Sequence, residues 1–194
     1  MTKLQIPSQH SETRSTDTMR IVFRSAEMPR DDGEESQIAA TLKQCFDGMH
    51  EGRTYCEQIP QQRLLGYCGD RLVGHLGLDY RMIRIGEAIF SVVGIIDLCV
   101  VPDLRRRGLA QRLLAAAEKR SAAQDFSVLV AKDTRLYERT GYRLLAKADV
   151  TWLAIDELRC HGVSNRDLSD IFMQKPLSTK TWPKGPIDML GFLF

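Results

Sequence analysis

Apolar and polar positions change their period several times along the chain. Residues 1–19 are polar, rich in Ser, Thr and Gln, and read as a flexible leader. Met19–Arg24 follows as a short first strand, and Pro29–Gly33 as a turn. From Glu34 to Phe46, Ile38, Ala39, Leu42 and Phe46 fall at helical spacing, and Asp47 and Gly48 mark the end of that helix. Three apolar runs come next: Arg63–Cys68, Leu72–Ile85 and Ala88–Val101. Tight turns at Gly69-Asp70-Arg71 and Ile85-Gly86-Glu87 link them, which predicts an antiparallel meander. Pro102 and the charges after it stop the third run.

Gly108–Ala123 gives the clearest helical pattern, with Leu109, Leu113, Ala116 and Ala117 on one face. Phe126–Ala131 reads as a short buried strand. Leu136 and Tyr137 mark a helical turn closed by Gly141, and Arg143–Ile155 reads as one more strand. Residues 156–194 hold three of the seven prolines and read as irregular. The order β-α-β-β-β-α-β-α-β predicts an α/β (α+β) fold, a mixed sheet with helices on its faces. Its parts are the leader, a core at 20–155, and a C-terminal extension at 156–194 packed on the same domain.

Composition narrows the classes. The 194 residues carry 27 Lys+Arg against 25 Asp+Glu, a net charge of +2, which argues against a chain built mainly to hold nucleic acid. The length suits one good core. Five cysteines at wide spacings form no CxxC pair, and four scattered histidines supply no ligand cluster, so neither a disulfide framework nor a metal site is expected. No run approaches the roughly 20 apolar residues of a membrane span. The first residues lack an apolar signal stretch, so the expected location is cytoplasmic, with no membrane partner.

The segment richest in chemistry is Leu98–Ala110. A strand ends, three arginines follow (Arg105, Arg106 and Arg107), and Gly108, Leu109 and Ala110 open a helix. A helix start leaves backbone N–H groups without intrahelical acceptors, and these attract phosphate. Gly108 and Ala110 let a pyrophosphate approach the backbone, and the arginines can add charge-assisted bonds. Neither GxxxxGK[ST] nor a strand followed by GxGxxG is present.

This segment resembles the acyl-CoA motif of the GCN5-related N-acetyltransferase (GNAT) superfamily, Val-x-Pro-x-x-[Arg/Gln]-x-x-Gly-x-[Gly/Ala]. Val100, Pro102, Arg105, Gly108 and Ala110 fill its positions. The later pairing of Leu136 and Tyr137 with Gly141 and Tyr142 is similar to a second family signature, and the resemblance covers residues 20–155. It implies a mostly antiparallel central sheet, splayed between the fourth and fifth strands. It also implies acetyl-CoA (coenzyme A) as the acyl donor. The pyrophosphate would lie on the N–H groups of Arg106, Arg107, Gly108, Leu109 and Ala110, and the pantetheine arm along Leu98, Cys99 and Val100. A weaker likeness concerns Thr181–Gly191. It resembles the ending of Nod-factor N-acyltransferases, and aminoglycoside 2′-N-acetyltransferases also end in an acidic, aromatic tail. The Nod enzymes carry a Glu where this chain has Gly94.

The implied function is an enzyme, an acyl-CoA-dependent N-acetyltransferase, moving an acetyl (acyl) group directly to a primary amine of a small molecule. The alternatives are a non-catalytic acyl-CoA-binding sensor and a protein or peptide N-acetyltransferase. A homodimer is an open expectation, because members of the fold often pair. Amine attack on a thioester needs a base for the amine, a donor for the oxyanion and a proton for the thiolate. Tyr137 is the candidate acid. Asp97, the lone carboxylate of an apolar strand, is the candidate base, and a one-residue bulge decides which face it takes. Glu87, Asp188 and the C-terminal carboxylate of Phe194 are further candidates. His75 and Tyr142 read as core residues, while Trp182 and Phe192 either line a pocket or anchor the tail. Asp31, Asp32, Glu34, Glu35, Asp47 and Glu51 read as an acidic rim or as solvated surface.

Overall fold

Burial on both faces dictates how the first strands sit. In the computed structural model, residues 19–28, 31–46 and 48–194 are described; the expected leader and parts of both loops around the first helix (Pro29, Arg30 and Asp47) lie outside them. Strands β1 (Arg20–Ser25), β2 (Gln62–Cys68), β3 (Arg71–Ile85) and β4 (Ala88–Val100) pair in antiparallel sequence. Successive side chains on a strand face opposite ways, so the adjacent Leu64 and Leu65 enter different cores. Leu65 packs with Ile38 and Leu42 of helix α1 (Asp32–Cys45), and Leu64 with Leu109, Leu113 and Leu114 of helix α2 (Leu109–Arg120). Burying each such leucine contributes roughly 1.5–3 kcal/mol.

Helix α2 returns the chain to β5 (Phe126–Val130), which therefore pairs with β4 in parallel, as a crossover connection requires. The parallel ladder covers only Val92, Val93 and Gly94 against Phe126, Ser127 and Val128. Beyond it β4 stays with β3 and β5 stays with its other neighbour, so the two strands splay where expected.

The C-terminal third departs from the sequence reading. The expected strand at 143–155 is two strands, β6 (Arg143–Leu144) and β7 (Asp149–Asp156), on opposite sides of the sheet. Between them the Ala148 N–H donates to Ser169 Oγ and its carbonyl accepts from Leu168 N–H, which fixes the crossing. The expected irregular tail forms β8 (Arg159–Asp167), β9 (Phe172–Pro176) and β10 (Ile187–Phe192). The main strand order is β6-β9-β5-β4-β3-β10-β7-β8, with β2 on β3 and β1 on β2. Strand β9 thus lies between β6 and β5, and β10 between β3 and β7. Phe126, Phe172, Ile187 and Met189 bury together in the core these strands share.

Candidate active site

The arginine-rich loop is tied to the strand it leaves. A 3-10 turn, Pro102–Leu104, leads into it, and the Arg105 Nε donates to the Val100 carbonyl at 3.0 Å. The Val101 N–H bonds to Val73 O on β3, so the alternate residues Leu98 and Val100 present their backbone groups to the opposite, splayed edge. Arg106 and Gly108 both take left-handed conformations, at φ 62° and 76°. Helix α2 starts at Gly108 without a side-chain cap and without an acidic residue in its first turn. Helix α1 shows the contrast: the Asp31 carboxylate accepts from Glu34 N–H at 2.9 Å, and Asp32, Glu34 and Glu35 meet its positive end. The uncapped donors of α2 and the exposed arginines before them fit the pyrophosphate of an acyl-CoA.

Where β4 and β5 part, a cavity of about 230 Å³ opens. Asp97 and Leu98 come to it from β4, Tyr137 from helix α3 (Arg135–Glu138), Glu57 from the loop before β2, and Phe194 from beyond β10. The bulge that decides Asp97 is present. His75 pairs with Cys99 and Gly77 with Ile96, so Asp97 and Leu98 together oppose Leu76. Asp97 adopts φ 50°, and its Oδ2 lies 3.2 Å from Nε2 of the fully buried His50. Its carbonyl accepts from His75 Nδ1 at 3.0 Å, which makes Nδ1 the protonated nitrogen. Burial holds His75 neutral, its pKa lowered to about 4. His75 is therefore a core residue, as read, and it secures the turn that aims Asp97.

Tyr137 is half-buried, its ring edge-on to Tyr142 at 5.9 Å. Burial, with the Asp133 charge, pushes its hydroxyl up to about 12, so it keeps its proton at neutral pH. Tyr142 is core and shares a 2.7 Å hydrogen bond with Ser127. Cys99 is buried on the α1 side of β4, where its thiol bonds to that of Cys45; this bond and burial hold Cys99 strongly in the thiol form.

Of the other proposed carboxylates, the one carried by Phe194 belongs to a residue that lines the cavity, whereas Glu87 and Asp188 are elsewhere. Glu87 is exposed at the β3–β4 turn, ten residues along β4 from Asp97, about 30 Å away at strand rise. Asp188 accepts from Leu190 N–H within β10 and does not line the cavity. Much of the acidic rim is engaged in structure: Glu34 pairs with Arg24 at 2.6 Å and Glu35 with Arg63 at 3.6 Å. Trp182 anchors the tail, edge-on to Phe126 at 4.9 Å, whereas Phe192 lines the cavity.

Glu57 and His50 escaped the sequence reading, because both stand in loop sequence without period. Glu57 Oε2 is buried and has no hydrogen-bond partner. Burial raises its pKa to about 7 against the opposing pull of Arg81, with Asp156 and Asp97 adding to the rise. The Arg81 guanidinium is held between the Phe192 and Phe194 rings, at 4.1 and 4.3 Å from their centres, and pairs with Asp79.

Comparison with known proteins agrees with this fold. The chain is similar in fold to a GNAT family N-acetyltransferase (YhbS) from Escherichia coli solved with CoA, at 18% identity and TM-score 0.62 over 93% of each chain. A GNAT family acetyltransferase from Brucella melitensis in complex with acetyl-CoA aligns at 15% identity and TM-score 0.54, covering 87% of this chain and 94% of that one. An aminoglycoside acetyltransferase from an uncultured soil metagenomic sample aligns at 23% identity and TM-score 0.50, covering 65% and 92%. No curated protein matches the chain in sequence. The family model described as acetyltransferase (GNAT) domain matches residues 29–145, more than half the chain. That span holds the arginine-rich loop, the splayed strands and the Tyr137 turn in one piece, and by it the chain belongs to the GNAT family of acetyltransferases.

Proposed function

We propose that the protein transfers an acetyl group from acetyl-CoA directly to a primary amine of a small molecule. The observation that carries this reading is the meeting, in one cavity, of the free edge of β4 at Leu98, the Tyr137 phenol and two carboxylates. Acetyl-CoA supplies the activated thioester carbonyl. The N–H groups at Arg106–Ala110 receive its pyrophosphate, and the edge at Leu98–Val100 its pantetheine amides. Arg105 already occupies the Val100 carbonyl, which leaves the Leu98 groups as the free pair on that edge. Tyr137 donates its proton to the departing sulfur, a task suited to a hydroxyl held protonated at neutral pH. Asp97, set against His50, supplies negative charge that draws a cationic amine inward.

The walls favour an acceptor whose single amine sits on a compact apolar body. Phe46, Met49, Ile95, Leu193 and Phe194 surround the carboxylates. Of the rim that would suit a polycation, Glu34, Glu35 and Glu51 are engaged in ion pairs. The test is thiol release from acetyl-CoA over a panel of arylalkylamines, polyamines, aminoglycosides and lysine peptides. Release with the first group, lowered about 10²-fold in Tyr137→Phe with CoA affinity kept, is the expected result. CoA binding without release on any amine would instead mark a binding module.

A further inference from the structure

We infer that Glu57, from the loop before β2, is the residue that takes the proton from the acceptor amine. The inference rests on the acetyl-transfer reading above and adds a role that Asp97 is poorly placed to fill. Asp97 Oδ2 lies 3.2 Å from His50 Nε2 without making a hydrogen bond, and its side chain is only 8% exposed, too enclosed to meet an entering amine. Glu57 lines the same cavity from the loop before β2, and its inner oxygen has no hydrogen-bond partner. An orphaned carboxylate oxygen at an apolar wall is costly unless it serves a ligand, and an ammonium is the ligand it fits.

The groups facing Glu57 set its proton affinity. Arg81 comes from β3, Asp97 from β4 and Asp156 from the end of β7, with Cys56 beside it on its own loop. Tyr137 also lines the cavity, and His50 lies 3.2 Å from Asp97. The guanidinium of Arg81 is tied to Asp79 and to the Phe192 carbonyl, so its charge is shared before it reaches Glu57. Burial therefore prevails, and the carboxyl is raised to about 7, the range in which a base takes a proton readily at neutral pH.

The transfer balances as follows. Glu57 takes one proton from the ammonium, and the nitrogen lone pair attacks the thioester carbon. The C–N bond forms, and the C–S bond breaks with its electron pair on sulfur. Tyr137 protonates that sulfur. The nitrogen's second proton leaves to solvent, which also reprotonates Tyr137 and discharges Glu57. One proton is released for each amide and free thiol formed.

The test uses the full chain. Glu57→Gln is expected to lower kcat/KM about 10²-fold at pH 7 and to remove the acidic limb centred near 7 from the pH profile. CoA affinity should stay within twofold, and Glu57→Asp should retain a limb at reduced rate. Carboxyl-carbon NMR of the free protein should show one glutamate titrating near 7 that is missing from Glu57→Gln. This readout needs no turnover, and whether any glutamate titrates near 7 is read on the natural chain alone, whatever the folding of the variant. A rate within threefold with the limb intact would overturn the assignment, as would a limb lost in Asp97→Asn but kept in Glu57→Gln. A glutamate set titrating wholly near the ordinary value would also overturn it. An inactive natural chain would sink the transfer reading itself, a distinguishable outcome.

Discussion

The Phe194 ring lies directly over Gly94, in the space a β-carbon would occupy. The contact closes one wall of the cavity with a residue a hundred positions away in sequence. Gly94→Ala should overpack this seat and cost about 1–3 kcal/mol if the tail stays, or release the tail if it does not. Thermal unfolding and acceptor KM measured together check this. Lower stability or a raised KM, with CoA affinity unchanged, is expected; a silent substitution would mean that the ring has no fixed seat.

Gly108 has room for a side chain but not the backbone for one. An added Cβ would meet only Gln111 Oε1, at 3.7 Å, yet φ is 76°. Gly108→Ala should therefore bring about 1–2 kcal/mol of left-handed strain, partly relieved by distorting the start of α2. Calorimetry should show CoA binding weakened at least fivefold. Unchanged affinity would remove this turn from the pyrophosphate site.

Two buried groups should make stability depend on pH with opposite signs. His75 titrates near 4 in the folded chain and near 6.5 when unfolded, so the unfolded state binds more protons between those values and stability is lost as pH falls through them. Glu57 titrates near 7 folded and near 4.5 unfolded, so its contribution is full below about 4.5 and is lost as pH rises to 7. Stability measured by denaturant unfolding at pH 5, 6 and 7 should rise more with pH in Glu57→Gln and fall with pH in His75→Gln, relative to the natural chain. Parallel slopes in all three proteins would contradict both assignments.

Cys45 should be the most reactive thiol. The Cys99 thiol donates to its sulfur and Arg105 lies beside it, which lowers its pKa to about 7 against partial burial. Alkylation followed by peptide mapping should label it first, with half-maximal rate near pH 7. Arg105→Met should move that midpoint upward, and an unmoved midpoint would dissociate the arginine from the thiol.

Much of the sheet's first half was legible because local sequence carried it. Ile89–Ile96 is a nearly continuous apolar run and Leu109–Ala117 has a helical period, and Pro102 and Gly108 punctuate them where the chain turns. The tail was not legible, for a physical reason. Strand β8 is exposed along almost its whole length, so no alternation marks it, and β9 is too short to show a period. The arginine-rich loop before α2 could be picked out from spacing, whereas Glu57 could not. Tyr55-Cys56-Glu57-Gln58 has no pattern of its own, and the carboxylate's character comes from Arg81, Asp97 and the wall of the cavity.

The placing of β9 and β10 inside the sheet has a consequence for synthesis on the ribosome. Until Phe172–Pro176 and Ile187–Phe192 have emerged, β3, β5 and β7 carry raw edges in the middle of what will be one sheet. The nascent chain can fold its β1–β4 meander and both long helices early, from local contacts. The central sheet and the reaction chamber close only when these last strands slot in. The order of manufacture therefore keeps the cavity unfinished until β9 and β10 have been made, and leaves a window in which other strands can compete for the vacant slots.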